Sequence, residues 1–140
     1  MPLVRIDLTR GRTPEGVRAL ADAIHTAIVE VYGIPPRDRF QIVTQHDAGE
    51  IIAEDAGLGF EREADDVVVV HVFTQRGRTD EIKQALYARI AERLGEVGVA
   101  GSSVFIGYVE NGPQDWSFGF GVAQYVTGEL KVPSAAGQAG

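Results

Sequence analysis

Proline at position 2, directly behind the initiator methionine, carries unusual chemical potential. Removal of methionine, usual before so small a residue, would expose a secondary amine. Its ordinary pKa, about 8 for an α-amino group, suits acid or base work near neutrality, and the same amine can condense with a carbonyl. The plain alternative is a proline that only starts an edge strand. Arg76 and Arg78, in "TQRGRT", stand where a strand hands over to a helix, so two guanidinium groups and the free amides of a helix start are available to one small anion. Their alternative is a pair of solvated arginines in a capping loop. Asp38, in "PPRDRF", is a third candidate just ahead of a strand, and its flanking Arg37 and Arg39 favour an ordinary surface ion pair.

Other chemistries find less support. The chain has no cysteine, which excludes disulfides, thiolate catalysis and cysteine-ligated zinc. His25, His46 and His71 lack metal-ligand spacing, and no serine or threonine stands in a nucleophile motif, so hydrolase and metalloenzyme readings have no anchor.

These residues must be positioned by a duplicated unit. Leu3 to Leu8 reads as a strand; Thr13-Pro14-Glu15 then supplies an N-cap, a first-turn proline and an acid. Val17, Leu20, Ala21, Ile24, Ile28 and Val31 follow at helical spacing until Gly33 and Pro35-Pro36, and "FQIVTQ" from Phe40 to Gln45 is a second strand. The second half repeats the order. "RGRT" recurs at 76–79 after a third strand, Val67 to Phe73; Leu20 and Ile24 recur as Leu86 and Ile90 in a helix from Asp80 to Val97; and "SSVFIGYVE" is the fourth strand. Two tandem β-α-β units with right-handed crossovers predict an α/β fold, a four-stranded sheet with both helices on one face. If the units run parallel, Pro2 and the arginines lie at opposite sheet edges; if antiparallel, they share one.

The other sheet face is bare, yet "VVVVHVF" is apolar at successive positions, so a second copy of the chain is expected to cover it. Segment 45–66 is too long for a plain connector and is read as a functional or subunit-contacting loop; its "GLGF" is a poor phosphate cradle, with no strand leading directly into it. The aromatic, glycine-rich stretch 111–130 predicts a short hairpin that packs on or exchanges with a neighbour. One domain is expected over 2–132, with 133–140 a disordered tail. The net charge of −7 disfavours nucleic acid, no apolar run is long enough to cross a membrane, and no leader opens the chain, so a cytoplasmic location is expected.

Together Pro2, the tandem units, "RDRFQIV", "EDAGLGFER", the paired arginines and "DWSFGFG" resemble the tautomerase superfamily over essentially all of residues 2 to 130. The resemblance implies a tautomerase-like four-stranded mixed sheet and a cofactor-free homotrimer whose amino-terminal proline, freed of methionine, is the catalytic group. Its decarboxylase members imply that Asp38 assists Pro2, that Arg76 and Arg78 bind the substrate carboxylate, and that Trp116 and Phe118 form an apolar pocket wall. One departure is Gly77, where those members have proline, which frees the spacing of the two arginines.

The function so implied is decarboxylation of malonate semialdehyde or a similar small 3-oxo acid, with Pro2 as acid or iminium former. Two rivals stand beside it: a tautomerase or hydratase of phenylpyruvate-like or unsaturated 2-oxo acids, and a non-catalytic oligomer that binds small acids. The pKa of Pro2 separates the first two, because neighbouring arginines and an apolar wall lower it toward a base, while Asp38 raises it toward an acid.

Overall fold

The computed structural model describes residues 2–132; the tail expected over 133–140 lies outside them. Strands β1 (Leu3–Thr9), β2 (Phe40–His46), β3 (Val68–Gln75) and β4 (Val104–Asn111) form one sheet in the order β2-β1-β3-β4. Each half is a parallel pair, β1 with β2 and β3 with β4, and the halves join antiparallel through β1 and β3. Of the two arrangements open in the sequence, the antiparallel one holds.

Helices α1 (Pro14–Tyr32) and α2 (Asp80–Glu96) are the crossovers. The repeated "RGRT" has the same structural job in both halves. Thr13 and Thr79 cap the helices, their hydroxyls accepting from the Gly16 and Ile82 amides at 3.0 and 3.2 Å. Arg10 and Arg76 each donate a backbone N–H to the last carbonyl of the neighbouring parallel strand, His46 at 2.8 Å and Asn111 at 2.7 Å. Gly11 and Gly77 both take φ well into the positive range, 141° and 130°, and proline, fixed near −65°, has no access to that conformation. The loop carrying the two arginines therefore depends on glycine at 77.

Alternation along the strands sorts the side chains. Val4, Ile6 and Leu8 of β1 and Val68, Val70 and Val72 of β3 are buried against Leu20, Ile24 and Ile28 of α1 and Leu86, Ile90 and Leu94 of α2, one continuous core. Each of these large side chains contributes roughly 1.5–3 kcal/mol on burial. Among the described residues no helix covers the opposite face. It presents Phe40, Ile42, Phe105 and Val109, all 40% exposed or more, around a central His71.

Two loop expectations change. The hairpin expected over 111–130 shrinks to a single bridge between Gly119 and Val122, followed by a short helix α3 (Gln124–Thr127) that ends on Gly128 in the left-handed conformation. Glycines around Phe120 turn the chain too tightly for a ladder to extend. In the "GLGF" loop the Gly57 and Gly59 amides both donate to the Asp55 carboxylate, so the chain's own acid fills the turn and holds its carboxyl below the usual range. No helix among the described residues is long and apolar enough to cross a membrane.

Candidate active site

The antiparallel join brings three element ends to one edge of the sheet. Leu3 is registered against Phe40 of β2 and Phe73 of β3, and one residue further the same register sets Pro2 level with Arg39 and Thr74. Pro2 is buried there. The turn ahead of β2 delivers Asp38, and the turn after β3 delivers Arg76 and Arg78.

Asp38 is held by local geometry. Its amide donates to the Pro35 carbonyl at 2.9 Å, closing a turn over the two prolines. His25 of α1 anchors that turn: its Nε2 lies 2.6 Å from the Pro36 carbonyl, which can only accept, so Nε2 carries the proton. Asp38 is 6% exposed and, among the described residues, its Oδ1 has no hydrogen-bond partner. Burial pushes its carboxyl above the ordinary range, while the positive charges of His25 and Arg78 act in the opposite direction.

The two arginines are not equivalent. Arg78 is buried, its Nη1 reaching Thr74 Oγ1 at 3.2 Å and, weakly, the Gln75 carbonyl at 3.4 Å. Arg76 is exposed and lies over Gly112, so that a Cβ there would sit 2.9 Å from its Nη1. The equivalent loop of the first half holds Arg10 against Asp47 at 3.0 Å, at the far edge from Pro2.

Trp116 and Phe118 stack with parallel rings, centroids 5.9 Å apart. With Leu3, Phe40 and Phe73 they line an open cavity of about 450 Å³ whose polar members include Asn111 and Asp115. Asn111 accepts from the Trp116 indole N–H at 2.9 Å, fixing the ring. Pro2, Asp38, Arg76 and Arg78 do not line this cavity themselves. Pro2 adjoins it through its chain neighbour Leu3.

Phe118 meets Tyr125 edge to face at 5.4 Å, and Tyr125 is the site residue that sequence reasoning passed over. Its buried hydroxyl has no partner among the described residues, and its pKa is pushed up to about 12 by burial, then by the Asp38 charge, with Arg78 opposing. Asp38, Arg78 and Tyr125 thus form one electrostatic cluster. Asp38 Oδ1, Gln75 Oε1, Arg78 Nε and Tyr125 Oη are four of the six buried polar atoms without partners among the described residues. Such atoms are costly to bury, and their concentration at one end of the sheet marks a place prepared for a polar ligand. The signal for Tyr125 was its place in the aromatic segment 111–130, read there only as packing.

A buried carboxyl and a buried guanidinium lie together at the mouth of the first strand, near an open apolar cavity. A family model described as tautomerase enzyme matches residues 38–119, and a second of the same description matches residues 2–61; the chain belongs to the tautomerase superfamily. Probable tautomerase YrdN of Bacillus subtilis (strain 168) is 44% identical over 131 residues, covering 93% of this chain and all of the relative. Among solved structures, FG41 malonate semialdehyde decarboxylase inhibited by 3-bromopropiolate is 64% identical, with a TM-score of 0.90 over 94% of this chain and 99% of the other. A fused 4-OT symmetric trimer is 25% identical, with a TM-score of 0.74 over 90% and 98% of the two chains.

Proposed function

We propose that this protein is a cofactor-independent decarboxylase of a small 3-oxo acid, malonate semialdehyde being the first candidate, with Pro2 as its acid. The observation that carries this reading is the convergence of the Pro2 end of β1, buried Asp38 and buried Arg78 on one sheet edge. Likeness to the FG41 decarboxylase supports it.

Loss of carbon dioxide from a 3-oxo acid breaks the C1–C2 bond and sends its electron pair into the neighbouring carbonyl. Arg78, with Arg76 closing from the surface, holds the carboxylate in line for departure. Protonated Pro2 donates to the carbonyl oxygen, giving an enol that takes a proton at C2 to yield acetaldehyde from malonate semialdehyde. Condensation of neutral Pro2 with the aldehyde gives the alternative electron sink, an iminium. Asp38 keeps the amine protonated in the first route.

A tautomerase or hydratase remains the second reading, favoured by the probable tautomerase relative. The bare apolar sheet face and the trimeric relative support assembly as a homotrimer. The test is to confirm by mass spectrometry that Met1 is absent, then to measure carbon dioxide release from malonate semialdehyde beside ketonisation of enol phenylpyruvate. Faster release is expected. Ketonisation alone makes the protein a tautomerase, and neither activity in the processed protein makes it a binding protein.

A further inference from the structure

Arg78 is the buried member of the arginine pair, yet among the described residues its polar supports are thin: two hydrogen bonds from Nη1, both at 3.2 Å or longer, and no partner for Nε. What lies beneath it is an aromatic ring. Arg78 Cζ is 4.2 Å from the centroid of Tyr32, well inside the range over which a ring's negative face attracts a guanidinium. We propose that Tyr32 is a positioning residue of the carboxylate site, the platform on which the Arg78 guanidinium is held for the substrate; this rests on the reading of the site as one for a small organic acid.

Tyr32 is itself fixed. It is the last residue of α1, it is buried, and its hydroxyl lies 2.9 Å from that of Tyr108 on β4. Tyr108 in turn meets Tyr87 of α2 edge to face at 6.2 Å and carries the Lys83 ammonium 5.1 Å over its ring. Both phenols are kept neutral, first by burial and, for Tyr32, next by the bond to Tyr108. A chain of contacts from β4 and α2 through two neutral rings therefore ends under the guanidinium.

An aromatic support has a chemical advantage over a carboxylate. Asp or Glu at this place would hold Arg78 by pairing with it, cancelling the charge and occupying the fork of N–H donors that an incoming carboxylate needs. A ring face attracts the cation without taking its donors. It orients the guanidinium and leaves the charge and the in-plane N–H groups for the substrate.

The test replaces Tyr32 by phenylalanine and by phenylalanines of increasing ring fluorination, which keep the shape while draining the negative face stepwise. KM and kcat for the 3-oxo acid are read in each, together with the Kd of malonate from the fluorescence of the single tryptophan, Trp116. Taking Tyr32→Phe, which already lacks the bond to Tyr108, as the baseline, Kd and KM should climb with fluorination to roughly tenfold at the most fluorinated ring, kcat holding within about twofold. A Kd indifferent to fluorination, or a fall in kcat at constant Kd, overturns the platform. Wild-type protein that neither turns over a 3-oxo acid nor binds malonate overturns the functional reading first, and the platform with it.

Discussion

Leu3 of β1 stands opposite Phe73 of β3 in an antiparallel ladder, while the same residue runs parallel beside Phe40 of β2. This one register decides the site. Had the halves joined in parallel, Pro2 would lie a strand's length, about 20 Å, from the arginines after β3. Antiparallel pairing instead makes the start of the chain and the end of β3 neighbours.

Pro2→Ala keeps a free amine but makes it primary and removes the ring. We expect kcat for the 3-oxo acid to fall roughly 10²- to 10⁴-fold, the usual worth of a positioned proton donor. Thermal unfolding should change little. Turnover equal to wild type would remove Pro2 from the chemistry.

Asp38→Asn should trade activity for stability. Burial raises the Asp38 carboxyl above its ordinary 3.8, so the folded protein holds this proton more tightly than the unfolded chain does. Ionising Asp38 therefore costs stability, a cost that grows as pH rises from 3.8 through the raised value and is constant above it. Uncharged asparagine avoids that cost. At pH 7 the variant should melt higher than wild type, with the difference shrinking to nothing as pH falls below 3.8; a lower Tm at pH 7 contradicts the burial argument.

Gly112→Ala should act through Arg76. The backbone at 112 has an ordinary φ of −113°, so alanine brings no strain there. Its Cβ, however, would come within 2.5 Å of Gln114 Oε1 and 2.9 Å of Arg76 Nη1, and the two flexible side chains must move. Loss of one charged hydrogen bond to substrate raises KM roughly tenfold, with Tm close to wild type. An unchanged KM would place Arg76 outside the carboxylate clamp.

Phe105→Glu tests the bare face. Phe105 is 51% exposed beside Val69 in the row that β3 and β4 share. A charge there leaves the core under the helices untouched but cannot be covered by another chain without a large desolvation cost. Sedimentation equilibrium should give three chain masses for wild type and fewer for the variant. A trimer that survives the substitution places the interface elsewhere.

Much of this arrangement was legible in the sequence. The repeated "RGRT" marked both helix starts, because a capping threonine and a glycine at positive φ are needed at the same point of each unit. The apolar spacing of Leu20 and Leu86, or Ile24 and Ile90, gave the core. The direction of β1 against β3 was not legible, since a period of two reads alike either way along a strand. The unequal burial of Arg76 and Arg78 was hidden for another reason: it depends on Tyr32, distant in sequence and brought beneath Arg78 only by the fold. Tyr125 was missed because glycine-rich sequence suits a hairpin as well as the tight turn and short helix that carry its hydroxyl to Asp38.

The most direct test of the central claim is the titration of the Pro2 nitrogen, labelled with nitrogen-15 in the processed protein and followed by NMR. Asp38 as the counter-ion of the amine, the role proposed above, predicts a pKa at or above the ordinary α-amino value of about 8, and a fall in that pKa in Asp38→Asn. A nitrogen that titrates well below neutrality, indifferent to residue 38, would contradict an acid at Pro2 and with it the decarboxylase.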